Sequence, residues 1–194
     1  MNTSGDWAYT QKGRILTKVK DRTRLSPLAR VVFLLALAAL AVGLVFFLSG
    51  SVVRLFSIPS GSMEPTLEAG DQVMTTSLLY HFHPPKRGDV VVFHANALGG
   101  AVLIKRVVAV GGDTVAVSNG ALYVNGERQP ETYVPGGRTD GDFPPTLVPA
   151  GELFVMGDNR NVSEDSRIFG PIAAEAVIGK AFAVWWPLRR LHGL

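Results

Sequence analysis

Between Val31 and Leu48 the chain reads VVFLLALAALAVGLVFFL, eighteen residues with no charge and no strongly polar side chain. As a helix rising about 1.5 Å per residue, this run spans roughly 27 Å, close to the ~30 Å hydrocarbon core of a bilayer. Residues 49–53 extend it as far as Arg54. An apolar surface on every side suits lipid better than a soluble core, where one face of a helix would meet water. A cleaved export signal is the other reading. Its apolar stretch is usually shorter, about 7–15 residues, and Leu48-Ser49-Gly50-Ser51 offers no clean Ala-x-Ala site. The sequence therefore predicts a basic tail at 1–30, an uncleaved transmembrane helix at 31–53 and a separate domain at 54–194.

Charge is divided unevenly about this span. Up to Arg30 there are seven basic residues (Lys12, Arg14, Lys18, Lys20, Arg22, Arg24 and Arg30) against Asp6 and Asp21, a balance of +5. The remainder holds twelve basic and fourteen acidic residues, a balance of −2. The positive-inside rule places the N-terminus in the cytoplasm and residues 54–194 outside the cell (plasma) membrane, as a single-pass protein. A basic tail beside an apolar run reads as a contact with anionic lipid. The acidic balance of the body argues against nucleic acid, whose binding needs a basic face. The absence of cysteine excludes disulfides, thiol catalysis and Cys-ligated zinc.

After Arg54 the pattern is of short strands and turns, with 21 Gly and 12 Pro in the chain. Strand-like runs occur at residues 71–76, 90–93, 101–110, 114–117, 121–124 and 152–156, and residues 182–186 are apolar and aromatic. Asn119-Gly120, between alternating runs, is a hairpin signal. The Pro- and Gly-rich stretch 129–149 reads as an irregular loop, and a short helix is expected at 173–176. The fold class is mainly β: an antiparallel β-sheet domain with a small β-hairpin appendage at about 112–150, preceded by one N-terminal transmembrane helix.

Three segments carry candidate chemistry. In Ile58-Pro59-Ser60-Gly61-Ser62-Met63-Glu64-Pro65-Thr66-Leu67, two prolines and a glycine shape a loop that presents two serines. By itself this is also the composition of an ordinary turn. In Leu103-Ile104-Lys105-Arg106-Val107, a lysine interrupts an apolar strand, where it either snorkels at an edge or is buried. A buried amine loses its charge. A drop of ~3 units from ~10.4, about 4 kcal/mol, would make it a base near neutral pH. A neutral amine can take the proton of a serine hydroxyl. The third segment, residues 157–167 (GDNRNVSEDSR), interleaves acids with arginines and is either a solvated loop or a support for the other two.

These segments, in this order behind one span, resemble the type I signal peptidase family, as does Gly88-Asp89-Val90-Val91-Val92-Phe93; the likeness runs from about Ser57 to Pro187. The resemblance implies a serine endopeptidase that needs no cofactor and no metal and removes signal peptides from exported precursors after small residues. It implies Ser62 as nucleophile and Lys105 as general base. Ser60 and the Ser62 N–H would form the oxyanion hole, and Ser163 would orient the lysine amine. Arg106, Asp158, Arg160, Asp165 and Arg167 would supply polar support. Ile58, Pro59, Met63, Leu67 and Ile104 would line pockets for alanine. The expected partners are signal-peptide-bearing precursors and the lipid bilayer.

The chain departs from the family where the strand after Gly88-Asp89 continues as His94-Ala95-Asn96, and in the short segment between Lys105 and Gly157, which leaves room for only a reduced accessory domain. His81, His83, His94 and His192 have no carboxylate or third ligand at a telling spacing and are expected at the surface. Trp185-Trp186 followed by Arg189-Arg190 suits either a bilayer interface or the core. Two rival functions remain on sequence grounds. One is a self-cleaving Ser/Lys repressor, disfavoured by the span. The other is an anchored β binding module.

Overall fold

The computed structural model describes residues 26–194, the side chains of 46–52 excepted; most of the basic tail lies outside the described residues. Helix α1 spans Pro27–Val52. It begins ahead of the apolar run because Ser26-Pro27 is a helix start. The Ser26 hydroxyl accepts the Ala29 N–H at 3.2 Å, its carbonyl accepts the Arg30 N–H at 3.0 Å, and proline suits the first helical position. Among the described residues it is the one helix long and apolar enough to cross a membrane by length and composition.

Residues from Phe46 onward form a second compact unit. Its strands are β1 (Val53–Ser57), β2 (Gln72–Thr76), β3 (Val90–Ala95), β4 (Ala101–Val110), β5 (Thr114–Ser118), β6 (Ala121–Val124), β7 (Glu127–Arg128), β8 (Phe143–Leu147), β9 (Glu152–Met156), β10 (Ile172–Ala173), β11 (Val177–Trp186) and β12 (His192–Gly193). A single helical turn, α2 (Ser166–Phe169), precedes β10. The main sheet is antiparallel in the order β1-β2-β11-β3-β4-β9-β10, with β12 paired to β11. The second sheet has the order β7-β6-β5-β8.

The apolar pattern explains the layering. In β3 the run Val90–Phe93 is buried throughout because both faces of the main sheet are covered. Val90 and Val92 pack with Ile58, Met63, Leu67 and Ile104 on one face. Val91 and Phe93 pack with Val107, Leu153, Val155 and Ile172 on the other. In β5 and β6 burial alternates, and Val115, Val117, Leu122 and Val124 join Val108, Phe154 and Met156 of the main sheet in a third cluster. Each large apolar side chain so enclosed contributes about 1.5–3 kcal/mol.

Two Asn-Gly pairs set the small sheet. Asn119 and Gly120 have φ of 51° and 80°, and Asn125 and Gly126 have φ of 55° and 80°. Both pairs have the two positive φ angles that a tight primed turn requires. Within the stretch expected to be an irregular loop the structure has a strand, β8. Pro144 and Pro145 conceal it in the sequence, and they are tolerated because β8 is an edge strand. The helix expected at 173–176 is a 3-10 turn at Ala174–Ala176. Trp185 and Trp186 are 46% and 50% exposed at the end of β11, outside the core clusters.

The register of β4 positions the site. Along Ala101–Arg106 it pairs with β3, and from Arg106 to Val110 with β9. The backbone of Ala101–Lys105 therefore has one edge without a strand partner.

Candidate active site

The loop between β1 and β2 is shaped by its own anchors. Met63 and Leu67 are both fully buried, and the Leu67 N–H closes a turn on the Met63 carbonyl at 2.9 Å. At its base the Ile58 N–H donates to the Asp71 carbonyl, and the Gly70 N–H to the Ile58 carbonyl, both at 2.8 Å. This holds Ser62 at the start of the turn with a buried side chain.

Opposite it, Lys105 leaves β4 with only 3% of its surface exposed, and Nζ lies 2.6 Å from Ser62 Oγ. Burial pushes this amine down to about 8; Asp165, Asp158 and Glu164 pull the other way, and Arg167 adds to the fall. A neutral amine at this distance can accept the hydroxyl proton. Ser60 Oγ lies 3.4 Å from Ser62 Oγ. Among the described residues the Ser62 N–H has no acceptor, so it is free to receive one.

Residues 157–167 support this pair from the end of β9. Asp158 is fully buried and accepts Arg106 Nε and Nη2 at 2.8 and 2.6 Å and the Thr66 hydroxyl at 2.6 Å. Arg106 also donates to the Gly88 carbonyl at 2.9 Å. Burial works against its charge, but the hydrogen bond and charge of Asp158 prevail and its pKa is raised. Asp165 accepts the Gly157 N–H at 3.0 Å, caps α2 through the Arg167 N–H, and pairs with Arg167 Nε at 2.8 Å. Arg167 in turn donates to the Arg160 carbonyl at 2.7 Å. Ser163 is buried, and its Oγ has no hydrogen-bond partner among the described residues, Lys105 included.

Gly157 packs where no side chain fits. A Cβ there would collide with Ser163 Oγ and the Ser62 carbonyl oxygen.

An apolar cleft of about 60 Å³ runs beside Ser62 and Lys105, lined by Ile58, Pro59 and Ile104 together with Phe56, Val102 and Leu103. Met63 and Leu67 do not line it, being wholly buried in the cluster beneath. All four histidines are exposed. Among the described residues no group of three or more His, Asp or Glu is placed to hold a metal ion.

Several contributors escaped the sequence reading. Asn159 donates its N–H to the Ser62 carbonyl and its Nδ2 to the Gly61 carbonyl, both at 3.1 Å. Thr66 bridges to Asp158. Both lie inside the motifs, where the spacing marked a loop but not which side chain would grip it. Glu131, Tyr133 and Thr139 also reach the arginines, from a stretch that carries no motif at all.

A hydroxyl held against an amine of lowered pKa, at the lip of an apolar cleft on an antiparallel sheet, is an arrangement able to supply a nucleophile and a base for hydrolysis. Comparison with known proteins narrows this. The family model for signal peptidase, peptidase S26, matches residues 30–186. A signal peptidase I from Leptolyngbya laminosa is 40% identical over 144 residues, 71% of this chain and 70% of that protein. A signal peptidase I from Bacillus caldolyticus is 38% identical over 148 residues, 70% of this chain and 80% of that protein. Signal peptidase IB of Staphylococcus aureus (strain N315) is 36% identical over 166 residues, 77% of this chain and 86% of that protein. The chain belongs to the signal peptidase family of serine endopeptidases.

Proposed function

We propose that the chain is a membrane-anchored endopeptidase that removes signal peptides from exported precursors, with Ser62 as nucleophile and Lys105 as general base. The observation that carries this reading is the 2.6 Å contact between a buried lysine amine and the Ser62 hydroxyl. Neutral Lys105 takes the Ser62 proton as Oγ attacks the carbonyl before the scissile bond. The oxyanion rests on the Ser62 N–H and the Ser60 hydroxyl. The lysine, now an ammonium, gives its proton to the leaving amine. Water then enters, Lys105 removes its proton, and the acyl-enzyme is hydrolysed. The Ser163 hydroxyl, buried without a hydrogen-bond partner among the described residues, is assigned to orient the lysine amine during these transfers.

The open edge of Ala101–Lys105 suits an extended peptide, which would add as a strand and bring its carbonyl to Ser62. The small apolar cleft walled by Ile58, Pro59 and Ile104 favours residues of alanine size at the −1 and −3 positions. Steps through a cofactor or metal are not needed.

The apolar helix supports anchoring in the cell membrane, and the basic tail ahead of it supports a cytoplasmic N-terminus with the protease domain outside. The exposed Trp185 and Trp186 fit a further contact with the bilayer interface. The cysteine-free chain allows a direct test of orientation. An impermeant thiol reagent added outside cells should label Asp140→Cys and leave Asp6→Cys unlabelled, and the reverse pattern overturns the topology.

The decisive experiment assays the full chain, in detergent, on a precursor with an Ala-x-Ala site and sequences the new N-terminus. Ser62→Ala and Lys105→Ala should each abolish cleavage. Full activity in both variants rejects the dyad. A wild type that binds exported peptides without cutting them indicates a binding module instead.

A further inference from the structure

A guanidinium carries five donors, has no acceptor, and stays charged in proteins. Buried, it needs a counter-ion, because desolvating an unpaired charge is expensive. The Arg160 side chain is 1% exposed. The buried acids of its own loop are committed elsewhere: Asp158 to Arg106 and Thr66, Asp165 to Gly157 and Arg167. The carboxylate that Arg160 pairs with is Glu131, 6% exposed at its side chain and 29 residues away in sequence on the segment leading from β7 to β8.

That segment is built to present it. The Tyr133 hydroxyl donates to Glu131 Oε1 at 3.0 Å, and the Tyr133 ring lies under the Arg106 guanidinium, 4.1 Å from its centre. The Thr139 hydroxyl, itself almost fully buried, accepts from Arg160 Nη1 at 2.7 Å. Val134 is buried, and its N–H closes a turn on the Glu131 carbonyl at 3.1 Å. The segment between β7 and β8 thus holds both Arg160 and Arg106.

Arg160 passes this hold on to the reacting groups. Its Nε donates to the Gly157 carbonyl at 2.9 Å. Gly157 is wedged against the Ser62 carbonyl and Ser163 Oγ with no free space. The neighbouring Asn159 grips the Gly61 and Ser62 carbonyls. Loss of the Glu131 charge leaves Arg160 to seek water or another acid, and Gly157 and Asn159 are the atoms that move with it.

We propose that Glu131 is a positioning residue of the peptidase, acting through Arg160 to hold residues 157–159 against the nucleophile loop. The inference rests on the Ser62/Lys105 reading above. It gives the segment between β7 and β8 a part in catalysis without any contact with substrate.

The test measures kcat and KM of the full chain in detergent for Glu131→Gln, Glu131→Asp, Arg160→Gln and the Glu131→Gln/Arg160→Gln double variant. Rates are normalised to folded enzyme by near-UV circular dichroism. A displacement of ~1 Å at reacting groups is worth about 100-fold, so Glu131→Gln should lower kcat by about 10- to 100-fold. KM should stay within about twofold, because no substrate contact is lost. Glu131→Asp, which keeps the charge, should recover most of the rate. The double variant should be no slower than Arg160→Gln alone, since both changes break one chain of contacts.

The proposal is overturned by a Glu131→Gln kcat near that of the wild type, by a loss confined to KM, or by independent losses that multiply in the double variant. Unfolding of Glu131→Gln and Glu131→Asp alike assigns the residue to stability alone and also overturns it. Ser62→Ala and Lys105→Ala run alongside: activity in those variants sinks the dyad, whereas inactive dyad variants beside an unimpaired Glu131→Gln sink only this inference.

Discussion

Lys105 Nζ stands 2.6 Å from Ser62 Oγ at a position where the lysine is 3% exposed, so the amine is nearly cut off from water beside the serine hydroxyl that the proposed mechanism has it deprotonate. Burial lowers its pKa to about 8. Activity should therefore follow the neutral amine. On a precursor substrate, kcat/KM should rise about tenfold per pH unit well below this pKa and level off above it. Glu164 is exposed and pulls the amine upward. Glu164→Gln should move the midpoint to lower pH, by a shift that shrinks as salt is added. A pH–rate profile at two ionic strengths checks both, and an unmoved midpoint in low salt contradicts the assignment.

The same burial sets a stability cost with a definite sign. The folded pKa, about 8, lies below the ordinary 10.5. Below pH 8 the lysine is charged in both states, and the folded state bears the whole penalty, about 3 kcal/mol. Between pH 8 and 10.5 the unfolded chain holds a proton that the folded chain releases, so wild-type stability rises with pH. Above 10.5 both forms are neutral and the penalty is gone. Lys105→Met keeps the length and removes the charge. It should be inactive yet more stable at pH 7 by about 1–3 kcal/mol, the lost contact with Ser62 taking part of the gain. Thermal melts in one detergent at pH 7 and pH 10 should show the advantage shrinking at the higher pH.

How far this was legible in the sequence depended on whether a residue's partners lie close along the chain. Lys105 could be read because a charge inside an apolar strand must either be buried or escape, and the Asn119-Gly120 turn because only certain residues adopt two positive φ angles. The strand β8 was hidden because Pro144 and Pro145 break a pattern that an edge strand does not need. Glu131 and Tyr133 were hidden for a different reason. Their partners, Arg160 and Arg106, lie 29 and 27 residues away, and nothing local marks an acid or a ring as destined for a buried arginine. Met63 and Leu67 were expected as pocket lining from the family resemblance, yet the turn they close directs them into the core.

Ser60 is exposed, with Oγ 3.4 Å from Ser62 Oγ, and the proposed mechanism makes it a donor to the carbonyl oxygen under attack. A donor so placed acts chiefly on the transition state. Ser60→Ala should lower kcat by about 10²- to 10³-fold with little change in KM. The fold should be unaffected, because the side chain is not packed. Steady-state kinetics with a melting curve separates the outcomes: a rise in KM alone would assign Ser60 to substrate binding, and retained kcat would remove it from the oxyanion hole.

Gly157 makes the strictest steric demand at the site. A methyl group added at its Cα would meet Ser163 Oγ and the Ser62 carbonyl oxygen. The first belongs to a short, movable side chain, but the second is backbone of Ser62, which Asn159 holds at 3.1 Å. Overpacking of this kind typically costs about 1–3 kcal/mol. The strain is relieved by moving Ser62, so activity should suffer more than stability. Gly157→Ala should fold, melt a few degrees lower, and lose at least about 100-fold in kcat. Gly179 is a fair comparison, because a Cβ there would also meet backbone, the Thr76 carbonyl at 2.8 Å, but on β11 rather than on the support loop. Gly179→Ala should lower the melting temperature similarly while leaving kcat per folded enzyme close to wild type. Equal losses of kcat in the two variants would mean that the crowding at Gly157 has no special bearing on Ser62.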